Sequence, residues 1–136
     1  MKYLNILAAL LLSIGLNSAC SAQTEKENNS AQVSKAEKVE LYYFHFTRRC
    51  ATCNAVESVS KEAVTELYGD KVDFAGYNLD EEQGAAKGKE LGVSGQTLLI
   101  VAGDTKIDIT DDGFFNARSN PDKLKAIIKE KIDPLL

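Results

Sequence analysis

The stretch Val39-Glu-Leu-Tyr-Tyr-Phe-His-Phe46, followed at once by Thr47-Arg48-Arg49 and Cys50-Ala-Thr-Cys53, decides the reading of this chain. Its opening residues are rich in β-formers and apolar at both odd and even positions, which suits a central strand buried on both faces. Past Arg49 the period changes. Ala55, Val56, Val59, Ala63, Val64 and Leu67 recur at helical spacing, with Glu57, Lys61, Glu62 and Glu66 on the opposite side. Gly69 then predicts a left-handed cap. Two cysteines therefore stand at a strand-to-helix junction, on one helix face and within reach of a disulfide.

Downstream, Val72 to Leu79 reads as a second strand, and Asp80 with Gln83 forms a capping-box signature for a helix running to about Leu91. Gly84 and Gly88 lower its helical propensity. Thr97 to Val101 is a short, fully apolar strand. Gly103-Asp104 marks a turn into Lys106 to Thr110, an alternating outer strand of a hairpin. Asn120-Pro121 opens the last helix, with Leu124, Ile127, Ile128 and Ile132 as its apolar stripe and Pro134 as its stop. The order is strand, helix, strand, helix, strand, strand, helix. A helical crossover makes the first two strands parallel and the hairpin makes the last two antiparallel. The fold class is α/β, a mixed central sheet with helices on both faces. In an open sheet of this kind, the junction that holds the Cys pair is where reactive groups collect.

Upstream of Val39 the composition is different. Lys2 precedes Leu4 to Leu16, an almost continuous apolar run that as a helix would span only ~20 Å at ~1.5 Å per residue. That is short of a ~30 Å bilayer core and reads as the apolar region of a signal peptide, residues 1–19. Two processing sites are legible. Leu16-Asn-Ser-Ala-Cys20 resembles a bacterial lipoprotein box, with Cys20 as the lipid attachment point, and Cys20-Ser-Ala22 satisfies the small-x-small rule for cleavage after Ala22. Either route exports the protein, to the periplasm or to a membrane-anchored place at the cell envelope, where disulfides persist. Residues 20–38 are polar apart from Val33 and read as a solvated tether. The folded domain is then 39–136.

Composition narrows the function further. The 136 residues carry a formal net charge of −4, which argues against a nucleic-acid partner. A hydrophobic content of 44% is that of a globular chain. With a single His, a multi-histidine metal centre cannot be built from this chain alone.

The Cys pair carries the chemistry. Unsatisfied N–H groups and the positive end of a helix stabilise a thiolate at Cys50, which makes it the nucleophile of thiol–disulfide exchange. Cys53, one turn further in, would resolve the mixed disulfide. Other readings stay open at this point. The dithiol could capture a two-coordinate thiophilic ion, Cu(I) or trivalent arsenic, without turnover. It could be half of a zinc site shared with another chain. It could be an inert structural disulfide, although so short a loop gains little from closure. It could also be incidental to an adaptor role. Arg48 and Arg49 read equally as thiolate stabilisers and as solvated loop charges. His45 reads as a strand-face histidine or as a proton relay for the pair. Asp111-Asp-Gly-Phe-Phe115 lacks the alternating ligands of a calcium loop, and Phe114 and Phe115 are expected as core contacts. No cofactor fingerprint for flavin or nicotinamide is present.

A strand, then Cys50-Ala-Thr-Cys53 at a helix start, then Leu91-Gly-Val-Ser-Gly-Gln-Thr-Leu-Leu-Ile100, resembles the thioredoxin superfamily over residues 39–136. The resemblance implies that the loop Gly95-Gln96-Thr97 faces the Cys pair and, with Arg49, lines a substrate groove. The sequence departs from the family pattern in three places. Ala51-Thr52 stands for Gly-Pro, Arg49 for a Trp, and Gln96 for a cis-proline. A cis bond before a residue other than Pro costs ~3–4 kcal/mol, so a trans peptide and a reshaped groove are expected. Gln96 is also a candidate to hydrogen-bond a substrate backbone. Within the superfamily, Tyr43-Phe-His-Phe-Thr-Arg-Arg-Cys-Ala-Thr-Cys-Asn-Ala-Val-Glu57 is similar to exported bacterial proteins of the ArsF family, or nitrophenyl compound nitroreductase subunit. That likeness implies a redox subunit in nitroaromatic or arsenical reduction, with a protein thiol or disulfide partner. It also implies a membrane electron-transfer protein as that partner.

Overall fold

A computed structural model describes residues 38–136. The expected signal peptide at 1–19, Cys20 and the expected tether through residue 37 lie outside the described residues. The chain runs β1 (Val39–His45), α1 (Ala51–Tyr68), β2 (Val72–Asn78), α2 (Glu82–Leu91), β3 (Thr97–Ala102), β4 (Thr105–Asp108), α3 (Thr110–Asn116) and α4 (Pro121–Ile132). The four strands are ordered β2-β1-β3-β4. β1 and β2 are parallel, with Val39 opposite Val72 and His45 opposite Asn78. β3 runs antiparallel to both β1 and β4. The doubly apolar pattern of 39–46 therefore marks a central strand, and Leu41, Tyr42, Tyr43 and Phe44 are all buried.

Alternate residues of β1 feed two cores. Leu41 and Tyr43 face Val56, Val59, Ala63 and Val64 of α1 and Leu124, Ile128 and Ile132 of α4. Tyr42 and Phe44 face the other way, with Leu99, Val101, Tyr77, Leu79, Leu91 and Val93. α2 covers this second face, and its two glycines explain how. A Cβ at Gly84 would lie 1.9 Å from the Asn78 carbonyl oxygen, and one at Gly88 would lie 2.9 Å from that of Val93. Residues that weaken the helix are the ones that let it close on its neighbours.

Several expectations are corrected here. Asp80 and Gln83 do not form a capping box: the N-cap of α2 is Glu81, without a side-chain cap bond. Asp80 instead accepts a hydrogen bond from the Thr47 N–H at 2.7 Å. Gly69 ends α1 with φ 55° and ψ −121°, a positive-φ cap outside the left-handed helical region. The outer strand stops at Asp108, and Thr110 opens a helix that the alternating pattern of Lys106 to Thr110 concealed. Asp108 accepts from the Thr110 N–H at 2.8 Å and so turns the chain out of the strand. Because α3 is helical, Phe114 and Phe115 cannot both face inward: Phe114 packs on the core, whereas Phe115 is 77% exposed. Leu67 lies at the solvent edge of α1 and Ile127 is only part-buried on α4. Asn120 caps α4 as expected, accepting from the Lys123 N–H with Pro121 in the first turn.

Candidate functional site

The loop from Phe46 to Arg49 leaves the end of the central strand and is held from the side. Asn78 donates to the Thr47 hydroxyl at 3.0 Å, and Leu79 N–H donates to the His45 carbonyl at 2.7 Å. Asp80 completes the clamp, and the two Thr47 donors hold its carboxyl below the ordinary carboxylate range. The chain is thus delivered into α1 with Cys50 as the N-cap residue, in extended backbone geometry.

Cys50 sulfur takes the place of a capping oxygen. Its Sγ accepts from the Cys53 N–H at 3.1 Å. An N-cap sulfur that meets an otherwise orphaned N–H sits where negative charge is stabilised. Cys50 and Cys53 are joined in a disulfide, their Cα atoms 5.0 Å apart. The two sulfur residues differ in access: Cys50 is exposed, and Cys53 is only 3% exposed.

Two features sit against the pair. The first is Gln96, whose Nε2 lies 3.6 Å and Oε1 3.9 Å from Cys53 Sγ. The described residues contain no cis peptide bond, so the Gly95–Gln96 link is trans. Gly95 and Thr97 flank it, and the Thr97 hydroxyl donates to the Gly95 carbonyl at 3.0 Å. The second feature is Arg49, which turns back along α1. Its guanidinium pairs with Glu57 at 2.5 Å, donates to the Cys53 carbonyl at 3.4 Å and stacks 5.7 Å from the Tyr43 ring centroid. Burial pushes the Tyr43 phenol up from its ordinary range, with Arg49 pulling the other way.

Arg49 is therefore a partnered cation beneath the first turn of α1, while Arg48 is exposed. His45 places Nδ1 3.0 Å from the Phe46 carbonyl, and the polar contacts of the two sulfurs go to the Cys53 N–H and to Gln96. In the sequence, Glu57 reads as part of the polar face of the helix and Tyr43 as strand core. Their spacing held the signal: Glu57 is one turn beyond Cys53 on the same face, where a preceding Arg can reach it.

Comparison with solved structures bears on the scaffold. Thioredoxin O2 from Arabidopsis thaliana, in its oxidised state, matches with a TM-score of 0.51 at 21% identity, covering 69% of this chain and 75% of that one. The fold is thioredoxin-like. A further solved structure, described as that of a malarial protein, matches at 18% identity and a TM-score of 0.46, over 68% of this chain and 96% of that one. No protein-family model and no curated protein matches the sequence. In this thioredoxin-like domain the Cys pair lies at the β1–α1 junction, and the loop before β3 brings Gln96 to it. A shallow groove of about 490 Å³, lined by Phe46, Leu79, Val93 and Ser94 among others, adjoins that loop on the α2 face. Among the described residues, no cluster of three or more His, Cys, Asp or Glu side chains is placed to hold a metal ion.

Proposed function

We propose that this protein is a thiol–disulfide oxidoreductase working through Cys50 and Cys53. One observation carries the reading: an exposed cysteine caps a long helix with its sulfur on a backbone N–H, disulfide-bonded to a buried cysteine one turn on. Exposure and stabilised negative charge suit Cys50 to attack a partner's disulfide, forming a mixed disulfide and releasing one partner thiolate. Cys53 then attacks the Cys50 sulfur, reforms the intramolecular bond and releases the second partner thiolate. Gly95 and Thr97, on either side of Gln96, line the groove in which that partner is received.

The finer reading places this chemistry outside the cytoplasm, with Cys20 lipidated and the tether holding the domain off the membrane. There it is a redox subunit for nitroaromatic or arsenical reduction, fed by a membrane electron-transfer protein. The support is the apolar run Leu4 to Leu16, the Ala-Cys20 context and the likeness of Tyr43 to Glu57 to the ArsF family. Mass spectrometry of the membrane fraction tests the anchor, because a soluble chain beginning at Gln23 removes it. Unchanged reduction of nitrophenyl compounds in cells lacking the protein removes the metabolic role.

The central test is a redox titration of the full chain in graded glutathione buffers, with the oxidised fraction of Cys50 and Cys53 read by alkylation. A reversible two-electron couple is expected. A pair that stays reduced in oxidising buffer and takes up Cu(I) stoichiometrically would overturn the exchange reading in favour of a dithiol binding protein.

A further inference from the structure

Cys53 presents a difficulty that the exchange reading must meet. Resolution needs Cys53 as a thiolate, yet its residue is 3% exposed, and burial in low dielectric disfavours charge on sulfur. The helix end that serves Cys50 does not serve it, since the Cys53 N–H points at the Cys50 sulfur. The polar side-chain atoms at Cys53 Sγ come from Gln96, with Nε2 at 3.6 Å and Oε1 at 3.9 Å. A primary amide offers two N–H donors and a carbonyl acceptor on one end group. It can therefore accept from a thiol S–H through Oε1 and donate to a thiolate or a disulfide sulfur through Nε2.

Resting on the exchange reading above, we infer that Gln96 stabilises the Cys53 thiolate and so governs the resolving step, acting on this chain's own buried sulfur and not on a substrate backbone. In the mixed disulfide, Cys53 gives up its proton to water and the Gln96 Nε2–H turns to the sulfur. The thiolate attacks Cys50 Sγ. The Cys50–Cys53 bond forms, the bond between Cys50 and the partner sulfur breaks, and the electron pair leaves with the partner's thiolate, which is protonated from water. The partner's disulfide is the oxidant and the Cys pair the reductant. Gln96 changes neither its own oxidation state nor its proton count. A residue with no N–H, such as the proline of the usual family pattern, cannot make this contact.

The test uses the reduced full chain carrying Cys20→Ser, so that only the pair reports, and an aromatic disulfide, dithiobis(nitrobenzoate), as probe. Attack by Cys50 releases one thionitrobenzoate and resolution by Cys53 releases a second, so stopped-flow absorbance separates the two steps. Gln96→Leu should slow the second phase about tenfold relative to the first at neutral pH. Its half-maximal pH should move up by about one unit, because a hydrogen bond to a charged group is worth about a tenfold change in ionisation or more. Gln96→Glu, which keeps the shape but places a carboxylate there, should slow the second phase at least as much. A far-ultraviolet circular dichroism spectrum matching that of the parent reports that each variant is folded. Two phases in the parent chain with a second phase unaltered in both variants would overturn the role of Gln96 while leaving the exchange reading standing. Failure of the parent chain to release a second equivalent would instead sink the exchange reading itself.

Discussion

The two faces of the sheet are packed by different means, and the difference shows how the site is held. On the α1 and α4 face, aliphatic side chains of both helices interlock around Leu41 and Tyr43 of the sheet, and Val56, Ala63, Leu124, Ile128 and Ile132 are all essentially inaccessible. On the α2 face the sheet contributes aromatic rings, with Phe44 and Tyr77 stacked at 5.7 Å and Tyr42 5.8 Å from Tyr77. There the helix approaches through the absence of side chains at Gly84 and Gly88. Side-chain packing is deformable at its tips, whereas contact between a helix and a carbonyl oxygen is not. The first face carries the long helix that begins at the Cys pair. The second carries the β2–α2 turn whose Asn78 and Asp80 grip Thr47, three residues before Cys50.

Adding one methyl group to each face sharpens the contrast. Gly84→Ala should be the most damaging change, about 3 kcal/mol or more in urea unfolding, because the new Cβ at 1.9 Å from the Asn78 oxygen forces backbone to move. Trimmed packing elsewhere on α2 cannot relieve it. Wild-type stability in this variant would break the comparison outright. On the other face, Gly113→Ala places its Cβ 3.0 Å from Leu98 Cδ2 and 3.4 Å from Val56 Cγ1, both ends of side chains. The gain in helix propensity, about 1 kcal/mol, then offsets the tight contact, and the midpoint should stay within about 1 kcal/mol of the parent. A loss as large as that of Gly84→Ala would show the first core to be as unyielding as the second.

The smallest expected effect concerns the Asp80 clamp and appears as a pH dependence. Its carboxyl is held below its ordinary value of 3.8 by the Thr47 donors, so the ionised form favours the folded state. That contribution is complete above the ordinary value and is lost as pH falls through the lowered folded value. Asp80→Ala should therefore melt below the parent at neutral pH, and the gap should close on acidification below 3.8. A gap of constant size down to pH 2 would mean that the carboxylate is not what grips the loop.

Much of this organisation was legible along the chain. The doubly apolar run at 39–46, the change of period after Arg49 and the helical crossover were enough for a mixed sheet with β1 at its centre. The short-range patterns that misled were those with two physical outlets. Asp80 could cap its own helix or reach across to Thr47, and the longer-range bond won because Asn78 and Glu81 already tie that turn together. Lys106 to Thr110 alternates like a strand, yet the Thr110 hydroxyl is spent on the Leu98 N–H at 2.9 Å, which starts α3 instead. With α3 formed, Phe115 was turned to solvent.

By itself, then, the sequence determined the order of elements apart from α3, the parallel β1–β2 and antiparallel β3–β4 pairings and the place of the Cys pair at a strand-to-helix junction. These follow from local periodicity and chain connectivity. Tertiary structure alone decided which groups meet those sulfurs. Gln96 stands 43 residues from Cys53 along the chain and reaches it only because β3 pairs beside β1. Arg49 could have been a free cation beside a thiolate, but Glu57 and the Tyr43 ring lie within its reach once α1 packs on the sheet. A flexible, charged side chain has many partners available in the unfolded chain, and only packing in three dimensions selects among them.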